Sequence, residues 1–282
     1  MSKANREHKA SLFTSYFSDK RRLIEAYNAI AGTDYPPTAK VEFKTLENVL
    51  HSDRENDIAF LIEDRFIVLI EHQSTINPNM ATRILFYITE VLKGIIPRRS
   101  LYEGKLIKIP IPEFFVIYNG KAKYPEKTIL KISDAFMAKQ ESPALELTVS
   151  VYNISKGHNK ELLERCRALS DYSVFIDLIY EEQERGESLE KAIDNTIHYC
   201  IDNDIMLVYL QEQSDEVKRM LITEWDEEEY HKVIKEEALE DGREEGKSQA
   251  THEIGQRMKK EGIPVDVIVR ITGLETEEIA GL

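Results

Sequence analysis

The stretch Asp57–Ser74 reads D-I-A-F-L-I-E-D-R-F-I-V-L-I-E-H-Q-S. Two runs of Ile, Val, Leu and Phe flank the charged Glu63-Asp64-Arg65, which is the pattern of a β-hairpin with a short loop. A three-residue loop would pair Ile62 with Phe66 and set Asp57 directly opposite Glu71. Paired residues have Cβ atoms about 5 Å apart, and like charges at that spacing repel. Gln73 lies two residues beyond Glu71 and falls on the same strand face. One face would then end in Asp57, Glu71 and Gln73. A hard divalent cation, which takes carboxylate and carbonyl oxygens, turns that repulsion into attraction. The other reading is a strand that simply emerges into solvent at Glu71-His72-Gln73. A loop of different length would carry Asp57 to the face opposite Glu71.

Outward from the hairpin, both strands are apolar on both faces, so helices are expected on each side of the sheet. Upstream, Leu23, Ala26, Tyr27 and Ile30 recur at helical spacing, with Asp19 as N-cap and Gly32 as terminator. Lys20, Arg21 and Arg22 give this helix a small basic cluster, and Glu25 is either a surface acid or an auxiliary carboxylate for a site. Val41 to Leu50 is expected to hold a short strand. Downstream, Asn77-Pro78-Asn79 opens a helix over about Met80 to Ile96, ended by Pro97. On it Arg83 and Tyr87, four apart, share a face. Arg83 either holds a phosphate with its planar fork or edges an amphipathic helix. Strands follow at Glu113–Tyr118, closed by Asn119-Gly120, and at Leu145–Ile154. The order predicts an α/β layer with a mixed sheet flanked by helices.

From Gly157 the pattern turns helical: Leu162, Leu163, Cys166 and Leu169 recur in one segment. Further helices are expected over 171–184, 187–202 and 214–224. His158, His198 and His231 lack metal-ligand spacing and are read as structural. From Trp225 the chain is acidic, then ends in two short helices joined at Thr272-Gly273-Leu274, a helix-turn-helix-like pair whose second member is too acidic to read DNA. The expected divisions are 1–156, 157–224 and 225–282.

The formal charge of −14 is uneven. Residues 1–180 hold 25 Lys and Arg against 23 Asp and Glu, and residues 181–282 hold 12 against 28. A phosphate-binding surface is therefore confined to the N-terminal two-thirds. The start of the chain lacks the apolar run of a secretory signal, and no segment approaches a membrane span of about 18 apolar residues. The 2 cysteines, Cys166 and Cys200, have no ligand spacing and read as buried free thiols of a reducing, cytoplasmic protein.

Asp57 followed by Glu71-His72-Gln73 resembles the core of PD-(D/E)XK nucleases, with Gln in place of the usual Lys. More specifically, T-L-E-N-V-L (45–50), E-N-D-I-A-F (55–60), E-H-Q-S-T-I-N-P-N-M (71–80), F-F-V-I-Y-N-G (114–120), G-H-N-K-E-L (157–162) and the Gly-Arg-Glu-Glu-Gly tail are similar to the Rpn family (recombination-promoting nuclease/putative transposase). The resemblance implies a restriction-endonuclease-like core followed by a helical region, and Mg²⁺- or Mn²⁺-dependent hydrolysis of DNA phosphodiesters. It implies that Asp57, Glu71 and the backbone carbonyl of His72 hold the metal and that Gln73 takes the lysine's place; Glu25, read from its own helix, is the candidate auxiliary ligand. Arg83 would supply the charge Gln73 lacks. The alternatives left open are a DNA-binding or assembly module with little catalysis, and an interaction factor working through its acidic helices. A homodimer, formed through the helical tail, fits an enzyme that cuts two strands.

Overall fold

The computed structural model describes residues 9–44, 54–55, 57–72 and 77–281; for Asp57, Glu71 and His72 the description covers the backbone. The elements in chain order are β1 (Lys9–Ala10), α1 (Leu12–Phe17), α2 (Lys20–Ala31), β2 (Val41–Lys44), β3 (Arg54–Glu55), β4 (Asp57–Ile62), β5 (Arg65–His72), α3 (Met80–Ile95), β6 (Ile111–Tyr118), β7 (Lys127–Lys131) and β8 (Thr148–Asn153). Helices then follow: α4 (Lys160–Arg165), α5 (Arg167–Glu184), α6 (Leu189–Asp202), α7 (Leu207–Lys260), α8 (Val265–Thr272) and α9 (Thr276–Gly281). Residues 1–222 and 223–282 form two compact units.

In the first unit a six-stranded sheet runs in the order β2-β4-β5-β6-β8-β7. The β4-β5 hairpin is antiparallel, whereas β5, β6 and β8 run parallel. One face packs on α3, where Ala59, Phe66, Phe114, Val116, Val149 and Val151 bury Met80, Ile84 and Tyr87. The other face carries Phe60 and Phe115, on which Tyr27 of α2 sits with ring centroids at 6.0 and 6.3 Å. Apolar strands with two buried faces thus have a helix on each side, as their composition requires.

Local signals account for α2. The Asp19 carboxylate accepts the Arg21 and Arg22 backbone N–H groups at 3.0 and 3.1 Å. Gly32, at φ 69°, closes the helix in the left-handed region where a Cβ is disfavoured. α3 ends at Ile95, and Ile96 is already extended before Pro97.

Four findings differ from the sequence expectations. The hairpin turn has two residues, not three: Ile62 pairs with Arg65, and Asp57 with Ile70. Strand β7, an edge strand antiparallel to β8, was not expected. The helix read across Leu162, Cys166 and Leu169 is two helices. Cys166, at φ −136° and ψ 99°, breaks it and caps α5. The segment expected as a helix over 214–224 belongs to α7, interrupted at Gln213 and continuing to Lys260.

α1, α5 and the start of α7 share an aromatic cluster in the same unit. Phe13 and Phe17 lie 4.7 Å apart, Phe13 meets Tyr172 edge-on at 5.5 Å, and Tyr16 meets Tyr209 at 5.2 Å. Both cysteines are buried and free, and burial pushes each thiol up to about 12. Such thiols are inert at neutral pH. In the second unit Ile268, Leu274 and Ile279 of the terminal helix pair form a small core, with Gly273 at φ 73° turning between them. Among the described residues no helix is long and apolar enough to cross a membrane.

Candidate active site

The start of β4 and the end of β5 meet at one end of the sheet, and that end is also where the parallel strands β5, β6 and β8 finish. In open α/β sheets the carboxyl ends of parallel strands are where ligands gather. Glu71 pairs with Ile117 and His72 with Tyr118. Asp57 pairs with Ile70, so position 57 stands one step from position 71 along the ladder. By strand alternation position 57 continues the row of Ala59 and Leu61, while position 71 continues the row of Ile67. The direct opposition of Asp57 and Glu71 expected from a three-residue loop is therefore not formed: by alternation position 57 falls on the α3 face of the sheet and position 71 on the other, and the two positions share the end of the sheet rather than one face.

The shift has an electrostatic origin. Arg65 sits in the strand rather than the loop because a half-buried ion pair with Glu113 of β6 neutralises it. Tyr27 of α2 donates a hydrogen bond to the same carboxylate at 2.8 Å. Burial, and then this bond, raise the Tyr27 hydroxyl pKa well above the usual phenol range. Glu63, at φ 51°, takes the positive-φ position of the shortened turn.

The remaining candidates lie on either side of the sheet. Arg83 is half-buried on α3, and no carboxylate pairs with it among the described residues. Glu25 is on α2, against the opposite face, where its carboxylate accepts the Arg167 backbone N–H at 2.6 Å. That bond satisfies an orphan donor at the start of α5 and holds the break at Cys166. Gln73 lies outside the described residues, as do the stretch 45–50 and most of the Gly-Arg-Glu-Glu-Gly side chains. Among the described residues no group of three His, Cys, Asp or Glu side chains is placed to hold a metal.

Two features at this end escaped the sequence reading. Asn119 directly follows Tyr118 and is 1% exposed. Neither its Oδ1 nor its Nδ2 has a hydrogen-bond partner among the described residues. The sequence had offered it only as half of an Asn-Gly turn. The second is a cleft of about 620 Å³ lined by residues that include Lys121, Lys123, Lys156, His158, Asp177 and Tyr180. Burial raises the Asp177 carboxyl from its usual 3.8 to about 6, against hydrogen bonds from the Lys156 backbone and Ser173 that lower it. His158 thus lines a cleft, and nothing in its spacing announced that.

The donor types the resemblance implies, two carboxylates and a backbone carbonyl, are oxygens of the kind Mg²⁺ and Mn²⁺ prefer, and they would have to converge from the two faces at the sheet end. The buried Asn119 carboxamide beside the end of β5, without a partner among the described residues, fits such a group, since its oxygen is a further hard donor.

A mixed sheet between helices, with an acidic hairpin at the finishing end of its parallel strands, defines a restriction-endonuclease-like α/β protein. The sequence model of one family, described as "Putative transposase, YhgA-like", matches residues 53–197, and the chain belongs to that family. Searches of curated proteins and of solved structures gave no match.

Proposed function

We propose that the protein is a metal-dependent DNA endonuclease serving recombination or element mobility, with its site at the Asp57/Glu71 end of the hairpin. What carries the reading is the convergence of the matched family with that hairpin, whose two acid-bearing ends meet where the parallel strands finish. Asp57, Glu71 and the His72 carbonyl hold Mg²⁺ or Mn²⁺. Once bound there, a divalent cation acidifies water and neutralises charge on a phosphate. Gln73 orients the attacking water or a phosphate oxygen as a neutral donor and acceptor. Arg83 grips the scissile phosphate from the α3 side with its planar guanidinium. DNA approaches through the N-terminal two-thirds, where basic residues balance acidic ones.

A second reading, a DNA-binding or assembly module with weak catalysis, is favoured by Gln73. That residue brings neither the charge nor the proton of a lysine. Plasmid nicking in Mg²⁺, Mn²⁺ and EDTA, beside Asp57→Ala and Glu71→Ala, separates the two. Metal-dependent nicking lost in both variants is expected. Nicking that survives both, or none from the wild type, sinks the endonuclease. Retained, salt-sensitive DNA binding would then support the module.

A further inference from the structure

We propose that Asn119 is a further cation-binding residue of this site, its carboxamide oxygen facing the divalent ion directly or through one of the ion's waters. This rests on the metal-site reading above and extends it to a residue outside the acidic hairpin. Asn119 comes two residues after Ile117, whose Cα partner is Glu71, and one after Tyr118, whose partner is His72. Its neighbour Tyr118 lies between two strands, paired with His72 of β5 and Asn153 of β8, and its carbonyl accepts the Ile154 N–H at 2.7 Å. The backbone therefore delivers Asn119 to the row that Glu71 belongs to, at the end where β5, β6 and β8 finish.

The environment of the amide is unusual. A side chain with two donors and two acceptor lone pairs is 1% exposed, yet neither polar atom is partnered among the described residues. Native proteins leave few such groups, and each calls for a partner supplied from elsewhere. A structural role would leave the carboxamide bonded to protein, as Asn153 is, whose Nδ2 donates to the Tyr124 carbonyl at 2.8 Å and whose Oδ1 accepts the Ser155 N–H at 3.0 Å. Among the described residues Asn119 has no such bonds. An incoming oxygen-seeking cation with its water shell satisfies the carbonyl oxygen, and the NH₂ then donates to another oxygen of the same sphere.

The test is Mn²⁺ binding to the full chain without DNA, followed by electron paramagnetic resonance, together with the thermal midpoint of the metal-free protein. Asn119→Leu is expected to weaken Mn²⁺ binding about tenfold or more, in the range that supporting ligands contribute. It should leave the metal-free midpoint unchanged or higher, because an unpartnered buried amide is removed. Unchanged Mn²⁺ affinity in Asn119→Leu overturns the proposal, whatever the midpoint does. Asn119→Asp guards against a variant that merely misfolds. It should lower the metal-free midpoint, and Mn²⁺ should restore that midpoint by more than it raises the wild type. Failure of Mn²⁺ to restore it also overturns the proposal. A wild-type chain that binds no Mn²⁺ defeats the hairpin metal site itself, a different result from equal binding by wild type and variant.

Discussion

Replacing Asp177 with Asn should stabilise the protein at neutral pH and lose that advantage in acid. Asp177 lies on α5 at the wall of the cleft, where burial raises its carboxyl from 3.8 to about 6. At 1.36 kcal/mol per tenfold change, that difference corresponds to about 3 kcal/mol of destabilisation when the group is charged in the fold. The folded protein holds its proton more tightly than the unfolded chain, so stability falls as pH rises from about 3.8 to 6 and stays reduced above. Asn keeps an oxygen to accept the Lys156 backbone N–H and the Ser173 hydroxyl, the latter at 3.4 Å from the present carboxylate. Urea unfolding followed by circular dichroism, for wild type and Asp177→Asn near pH 8 and near pH 4, measures the difference directly. The expected gap is about 2–3 kcal/mol in favour of the variant at the higher pH, closing toward zero at the lower. A gap of the same size at both pH values, or a wild type that is the more stable near pH 8, would refute the assignment of the cost to a buried charge.

Two further substitutions follow from partners already described. Glu25→Gln replaces a charged acceptor at the start of α5 and should cost about 1–2 kcal/mol in urea unfolding. Mn²⁺ affinity should stay within about twofold, and a larger loss would place Glu25 among the cation's ligands. Glu113→Gln leaves Arg65 half-buried without its counter-charge and weakens the Tyr27 bond. It should cost about 1–3 kcal/mol, and a neutral result would show that the Arg65–Glu113 pair does not fix the hairpin turn.

The caps of α2 were legible because their causes are local: Asp19 and Gly32 act within one turn. The hairpin was legible too, from two apolar runs around a polar break, but its register was not. Arg65 reads as loop because of its charge, and it enters β5 only because Glu113, a residue of β6, neutralises it. β7 reads K-T-I-L-K, too short and too lysine-rich to announce a strand, which suits an edge that must discourage further pairing. The break at Cys166 was hidden for a similar reason, since Leu162, Leu163 and Leu169 keep helical spacing through it while the carboxylate that caps α5 comes from Glu25 on α2. In the candidate site, Asp57, Glu71 and Gln73 stood out as polar residues ending apolar strands. Asn119 did not, because an Asn before Gly has a sufficient explanation as a turn until its burial is known.

The shortened turn between β4 and β5 also bears on the order in which the molecule assembles. Closing a two-residue loop is fast, and hairpins form in about 1–10 μs. The parallel pairing of β6 with β5 must wait for the long crossover through α3, whose closure costs entropy before any contact repays it. The acidic ends of the hairpin are therefore drawn together early, while Asn119, carried at the end of β6, arrives late. A nascent chain would therefore bring the two ends of the hairpin close before it acquires the neighbouring amide.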